Sequence, residues 1–565
     1  MLSLFPPRVY LYDLNIYKPP ISFKLDQRAV IRTWQDSQFY TSELLEFQTR
    51  VFARSGLSPT ETHLPPTLNP AYVGSDVRTD LEAADKECRM AVCGAVEGLF
   101  NKTGLNPADI DIVVTTCSIF CPTPSMASMV VNAFGLRRDI QSYHLGGMGC
   151  ANGVVAVNVV ADLLAAHPNS NALFVTTETL APAFYFGTER HRLVTNLLFR
   201  MGAAAMLITN KPSLVQPAGP GRRGAKYQLL RRVRVHTGQS DDAYTAIHFS
   251  PDEEGKNGIY LGKNIVKEAS RALSMAMTQI APYVLTWQQL AEAGIDALRR
   301  RRTAAADRRR NRRRDDANIV NNSDGSNGDV SRSSGSGTSG VSGTSGKACV
   351  TAAAAAHDDT AAGFHTATAS TNTGDASAPA DKEPAAAASR SSSTAPPYKP
   401  NFQKSTVSHF LLHAGGAKVL DGLGEALQLD DTKLAPSRNV LHDYGNISSS
   451  TTWYTLACIE TTQGVRRGER ILQVGVGSGI KCGVNVWKAL RNVHELHEGW
   501  SHRLTPEQRT ALALRNQVDV AHGWYHVSLR AVFALLMVLL AASMHFLMLH
   551  RTATFTLVPW GRDSA

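Results

Sequence analysis

From about Arg299 to Pro397 the chain abandons the apolar residues a folded core requires. It passes from an arginine run through "SRSSGSGTSGVSGTSG" into Ala, Ser, Thr and Pro. Such a stretch cannot bury enough apolar surface to offset the entropy of ordering it, so residues 296–397 are expected to form a disordered insertion. What can fold then lies in two blocks, 1–295 and 398–495, followed by a tail at 496–565. Loop-closure entropy grows slowly with length, so the two blocks can still assemble one fold. The same place explains most of the net charge of +10: Asp296–Asp316 holds ten Arg against four Asp and contributes +6. The remainder is near balance. That argues against a nucleic-acid-binding fold and is compatible with a basic tether beside anionic lipid.

Within the first block, strand-like and helix-like segments alternate. "IDIVVTTCS" (110–118), "ALFVTTE" (172–178), "AAAMLIT" (203–209) and "YQLLRRVRVH" (227–236) have strand patterns. Residues 80–100, the stretch after Cys150, and 263–284 have helical ones. The second block adds helices near 416–428 and across 448–462, a strand at 471–477 and a helix from 483. Alternation of this kind predicts an α/β protein.

The eight cysteines, at 88, 93, 117, 121, 150, 349, 458 and 482, show no pairing framework and no zinc spacing, as in a reduced protein facing the cytosol. The opening residues lack the basic and apolar regions of a cleavable signal. At the other end, Ala531–His550 ("AVFALLMVLLAASMHFLMLH") gives twenty residues without a charged side chain, bracketed by Arg530 and Arg551. That length suits a membrane-spanning helix.

In "LGGMGCANGVVAVNVVADLLAAH" (145–167), Cys150 sits between a glycine-rich turn and the first turn of a buried helix. A thiol there lies near the positive end of the helix dipole, which predicts a lowered pKa and a nucleophile. A buried structural cysteine is the other reading of this stretch, and the stretch leaves both open. A nucleophile needs a proton partner and donors for an oxyanion. "SHFLLHAGG" (408–416) offers His409 and His413, one turn apart if that segment is helical. "LHDYGNISSS" (441–450) offers His442 and Asn446, with Ser448–Ser450 as helix N-caps. "GVGSGIKC" (475–482) lacks a dinucleotide fingerprint and reads as a strand end where backbone approaches substrate. No metalloprotease-type pattern accompanies the histidines, and no metal is expected.

Together, "LGGMGCANG", "HFLLHAGG", "LHDYGNISSSTTWY" and "GVGSGIKCGVNVWKAL" closely resemble the plant-type 3-ketoacyl-CoA synthases. So do "RVYLYDLNIYKPP" (8–20), the segment 121–150, "FYFGTERHRLVTNLLFRMGAAAMLITNK" (184–211) and "RVRVHTGQSDDAY" (232–244). The resemblance covers most of 8–285 and 398–493, in order and spacing. It implies a thiolase-like fold of two similar βαβαβ halves layered α/β/α/β/α. Cys150 matches the acyl-accepting cysteine, His413 the histidine of H-A-G-G, and Asn446 the asparagine of G-N-x-S-S-S. His236, His409 and His442 match further family histidines and are expected to support the site. Gly475, Gly477, Ser478 and Gly479 match the glycine loop beside it. The resemblance further implies acyl-CoA and malonyl-CoA as substrates and no cofactor. It implies a homodimer working with other elongase subunits at the endoplasmic reticulum membrane, with its site facing the cytosol. Chalcone-synthase-like and synthase III-type condensing enzymes share this chemistry. A catalytically silent, membrane-tethered elongase partner is the reading from another class. Three features depart from the family: Ala151-Asn152-Gly153 replaces its usual Ser-Ala-Gly, the apolar run stands at the C-terminal end, and the insertion separates the halves.

Overall fold

Ile112–Cys117, "IVVTTC", is a run of apolar and β-branched residues buried at every position, as a central strand of a sheet covered on both faces requires. It is β2 of a computed structural model that describes residues 8–38, 40–74, 76–216, 224–323, 398–512 and 514. The other strands are β1 (Tyr10–Ile16), β3 (Gln141–Gly146), β4 (Asn171–Glu178), β5 (Gly202–Thr209), β6 (Tyr227–His236), β7 (Ile247–Pro251), β8 (Asn257–Leu261), β9 (His409–Leu412), β10 (Arg470–Gly477) and β11 (Lys481–Ala489). Nine of them form one sheet in the order β3-β2-β4-β5-β1-β6-β11-β10-β9, and β7 pairs with β8 in a separate hairpin.

β3, β2 and β4 run parallel, with β5 and β1 antiparallel beyond them. The other half repeats this plan with one strand fewer: β9 and β10 are parallel, β11 and β6 antiparallel. The halves join where β1 meets β6 at Tyr10 and Leu11. Helix Asn152–Ala166 touches β2 and β4 on one side and β10 and β11 on the other, while helix Thr451–Thr462 touches β1 and β9. These two helices are therefore the middle layer, which explains why they are apolar or small on nearly every face rather than amphipathic. Helix Leu81–Thr103 covers β1, β4 and β5, and helix Ile265–Val284 covers β6 and β11. Asp80 caps the first of these, accepting from Ala83 N at 2.9 Å, and Gly104 ends it at φ 66°.

A buried ionic cluster ties the halves. Lys226 Nζ lies 2.7 Å from Asp13 of β1, 2.7 Å from Glu460 of the middle layer and 2.6 Å from Glu495. Burial alone would depress this ammonium, but the three carboxylates outweigh it and raise its pKa.

Two expectations are corrected here. The segment from 483 is not a helix but β11: Val484, Val486 and Trp487 suit a pleated surface, and the strand pairs antiparallel with β10 along its length. The insertion is not irregular from its start, because helix Trp287–Ser323 runs through the arginine run. Arginine and alanine are good helix formers even where nothing apolar repeats. By its contacts the chain divides into one unit of Met1–Ala293 with Lys399–Ala565 and a second of Gly294–Tyr398. Among the described residues no helix is long and apolar enough to cross a membrane. The run 531–550 and most of the insertion lie outside them.

Candidate active site

β3 ends at Gly146, and the chain turns through Gly147 (φ 66°) and Gly149 (φ 67°) to present Cys150 ahead of its helix. These glycines serve more than the turn. A Cβ on Gly149 would lie 2.4 Å from Ser478 N, and one on Gly477 would lie 2.4 Å from Ala151 N and 2.8 Å from Cys150 N. The Cys150 turn and the loop after β10 are thus packed backbone to backbone, an approach only glycine permits. Gly475 lies one step deeper, where a Cβ would meet Val154 at 2.7 Å. Ser118 holds the turn from the other side, accepting from Gly149 N at 2.8 Å.

Ser448 reaches the sulfur from the second block. Its Oγ lies 3.5 Å from Cys150 Sγ and 2.8 Å from Glu178 Oε2 at the end of β4. The other Glu178 oxygen accepts from Ser118 N (3.0 Å), Ile119 N (2.9 Å) and the Cys117 thiol (3.1 Å). Ser448 holds a left-handed φ of 50°, a strained conformation for serine. It is fixed there by its N–H, which donates to Asn446 Oδ1 at 2.9 Å. Asn446 Nδ2 in turn donates to Gly415 O at 3.3 Å, and Gly415 N bonds the carbonyl of His413 at 3.0 Å. Cys150, Asn446 and His413 therefore belong to one continuous chain of contacts through Ser448 and Gly415.

The electrostatics correct one expectation. The Cys150 thiol is not lowered: burial pushes it up to about 12, the Ser448 hydroxyl opposing and the Glu178 carboxylate adding to the rise. Desolvation in the buried site is the larger cause, and the nearby carboxylate adds to it. His413 is 5% exposed, and burial pushes it down to about 4, so it is neutral at physiological pH.

Cys150 opens on a cavity of about 320 Å³. Its polar wall is Ser118, Glu178, Ser448, Ser478, Gly479 and Lys481; its apolar wall is Ile119, Phe199, Ile247, Phe249 and Ile259, with His248 on the same hairpin strand and Tyr244 just before it. His236 stands at the end of β6, opposite Lys481, with its Nε2 3.6 Å from where a Gly479 Cβ would be. The other two histidines are elsewhere. His409 begins β9, so it and His413 share no helical turn, and its Nε2 bonds Glu469 at 3.0 Å. His442 bonds Asp443 at 2.7 Å in a cluster with His502 and Arg503. Glu178 and the contact role of Ser448 were not legible in the sequence, because their bond joins positions 270 residues apart. Glu460, Glu495 and His497 have metal-like spacing, but both carboxylates are already bound by the Lys226 ammonium, and Glu495 also by Lys102 and Arg491.

Comparison with known proteins identifies the family and the fold. The family model described as FAE1/Type III polyketide synthase-like protein matches residues 3–302, and that of chalcone and stilbene synthases, C-terminal domain, matches 403–490. The chain is 33% identical over 497 residues to 3-ketoacyl-CoA synthase 6 of Arabidopsis thaliana, covering 88% of this chain and 80% of that one. It is 32% identical over 500 residues to 3-ketoacyl-CoA synthase 17 of the same plant, covering 88% and 82%. Among solved structures it is similar to the fungal type III polyketide synthase ORAS (TM-score 0.54, 14% identity, 85% of this chain and 99% of that one). It is also similar to 1,3,6,8-tetrahydroxynaphthalene synthase from Streptomyces coelicolor (TM-score 0.53, 16% identity, 85% and 99%). These two establish the α/β, thiolase-like fold. With a family match across more than half its length and relatives of this identity over most of both chains, the protein belongs to the plant-type 3-ketoacyl-CoA synthases of the FAE1/type III polyketide synthase-like family.

Proposed function

We propose that this enzyme condenses a long-chain acyl-CoA with malonyl-CoA to give 3-ketoacyl-CoA, CO2 and CoA, in very-long-chain fatty acid elongation. The observation that carries this is the seating of Cys150 Sγ on a partly apolar cavity, 3.5 Å from Ser448 and in one contact chain with Asn446 and His413. Cys150 sulfur attacks the acyl thioester; the S–C bond to the enzyme forms, that to CoA breaks, and the CoA thiolate leaves with a proton. A thiol held near 12 must lose its proton as substrate arrives, and neutral His413 is in the state to accept one. Malonyl-CoA then loses CO2, and the electron pair moves onto its thioester oxygen as an enolate. Asn446 and His413 donate to that oxygen, an arrangement that contributes several kcal/mol in a water-poor site, on the order of 3 per donor. The enolate carbon attacks the acyl-Cys150 carbonyl, a C–C bond forms, and the sulfur leaves. No cofactor enters this sequence of steps.

The wider setting is proposed with it. The enzyme works at the endoplasmic reticulum membrane with its site toward the cytosol, beside other elongase subunits, a reading supported by the apolar run 531–550 and the family resemblance. A homodimer is supported by β3, which among the described residues ends the sheet with one edge unpaired and so can extend it in a second copy.

The test is intact-mass and peptide analysis after incubation with acyl-CoA, followed by addition of malonyl-CoA. The expected results are an acyl adduct on Cys150, 3-ketoacyl-CoA as product, and loss of both in Cys150→Ala, by roughly 10³-fold or more. Triketide products would transfer the chain to the polyketide synthases, and absence of any adduct would leave the silent-partner reading.

A further inference from the structure

Within the second unit, Gly294–Tyr398, the helix Trp287–Ser323 has two unlike faces. On one, Asp296 and Arg300 stand a turn apart, half-buried and paired at 2.7 Å. Asp296 Oδ2 also accepts from Tyr398 N at 3.1 Å, so the returning chain covers this face. Asp307 falls on the same face, three turns on.

The other face is built differently. Ile295, Leu298, Arg302, Ala305 and Arg309 follow one another at steps of three and four, the spacing that keeps residues on one side of a helix. Arg301 and Arg308 flank this stripe, and no acidic residue falls on it as far as Arg310. All of these side chains are exposed, Ile295 by 49% and Leu298 by 58%. Arg300 has a carboxylate partner; among the described residues, Arg301, Arg302, Arg308 and Arg309 have none.

A single exposed leucine or a free surface arginine selects nothing. Here the two kinds share one face, and the acids are kept to the other. What such a face fits is an anionic surface that runs along about 21 Å of helix, from Ile295 to Arg309, and takes up hydrocarbon between the charges. The headgroup layer of an anionic bilayer has both properties. Its phosphates match guanidinium geometry, and acyl chains begin just beneath them. A nucleic-acid groove would surround the helix and bring phosphates against Asp296 and Asp307, which repel them.

We propose that the face formed by Ile295, Leu298, Arg301, Arg302, Arg308 and Arg309 docks on an anionic membrane surface, arginines to lipid phosphates and the two apolar side chains to the acyl boundary. This goes beyond the membrane setting proposed above, which rests on the run 531–550 and the family resemblance and says nothing of lipid charge. It is independent of the condensing reading, because the face is defined by its own charges.

The test uses the full chain in nanodiscs of phosphatidylcholine alone and of phosphatidylcholine with phosphatidylserine. The run 531–550 then meets a bilayer in both, and only the charge differs. Hydrogen exchange is read in peptides from 294–310. It should be slower by at least about five-fold in the anionic discs, and 1 M salt, where the screening length falls to about 3 Å, should cancel the difference. Combining Arg301→Gln, Arg302→Gln, Arg308→Gln and Arg309→Gln should remove the protection, and glutamine is as good a helix former, so the helix stays. Lysine at the same four positions should keep most of it, since the charge is retained. The melting temperature of both variants in neutral discs should match that of the wild type, and their condensation in detergent should stay within about two-fold. Equal exchange in the two kinds of disc would overturn the proposal, as would protection that survives in the glutamine variant. Protection by added RNA in neutral discs, with none from phosphatidylserine, would assign the face to nucleic acid instead.

Discussion

Cys150 and His413 show how one physical cause, burial, acts in opposite directions on an acid and a base. It penalises the thiolate and the imidazolium alike, so the sulfur keeps its proton and the imidazole stays without one. The consequence for stability can be signed. His413 titrates near 6.5 when the chain is unfolded and about 4 when folded, so between these values the unfolded state binds more protons. The stability associated with neutral His413 is complete above pH 6.5 and is lost as pH falls toward 4, by up to on the order of 3 kcal/mol. His63 is buried and lowered to about 4 in the same way, so the wild type has more than one such group. His413→Gln should therefore flatten, without abolishing, the loss of stability between pH 7 and 4.5, measured by urea denaturation at each pH. An unaltered slope would mean that His413 titrates normally in the folded protein. At this scale the sequence was informative about residue types and silent about partners. Cys150, His413 and Asn446 stood out because thiol, imidazole and amide in recognisable frames carry chemistry. Glu178 and Ser448 did not, since their bond joins positions 270 residues apart and neither has an unusual local context.

The glycine loop after β10 shows what an element contributes beyond its side chains. Ser478 and Gly479 line the cavity, yet Gly477 matters for the atom it lacks. Gly477→Ala would drive a methyl group into Ala151 N and Cys150 N, and the Cys150 turn must shift to accommodate it. A displacement of about 1 Å at a reacting group costs on the order of 10²-fold in rate. Condensation by Gly477→Ala should fall by that order while its far-ultraviolet circular dichroism remains that of the wild type; activity near the wild-type value would show that the loop yields instead. The same elements mark where sequence patterning stops. Fully buried strands such as β2 and β4, and helices with clear caps such as Leu81–Thr103, declared themselves through composition. β1 did not, because Asp13 and Asn15 are poor strand formers, tolerated here since Asp13 pairs with Lys226 and Asn15 donates to Ala95 O. β9 and β11 were obscured likewise: four residues are too few for periodicity to separate strand from helix, and "GVNVWKAL" carries apolar residues at both spacings.

For the molecule as a whole, the question is how one site survives a chain interrupted between its halves. The answer lies at the points of interruption and in what crosses between the blocks. Tyr398 N returns to Asp296 Oδ2 at 3.1 Å, and Gln289 Nε2 bonds Asn401 O at 2.6 Å, so the chain comes back to where it left. The contacts that assemble the site are independent of what lies between. β6 from the first block pairs with β11 from the second over most of its length, the Gly153 carbonyl accepts from Trp453 Nε1 at 3.0 Å, and Lys226 binds Glu460 and Glu495 in the interior. An insertion whose ends are already together adds only a closure entropy that varies with the logarithm of its length, so removing it relieves about 1–2 kcal/mol at most. Replacing 299–397 by a short Gly/Ser linker should leave the melting temperature within a few degrees (about 4 °C) and condensation within about two-fold. A large loss of activity with the melting temperature preserved would assign the segment a direct part in substrate delivery or partner binding, the one role that neither its composition nor the closed geometry at its ends requires.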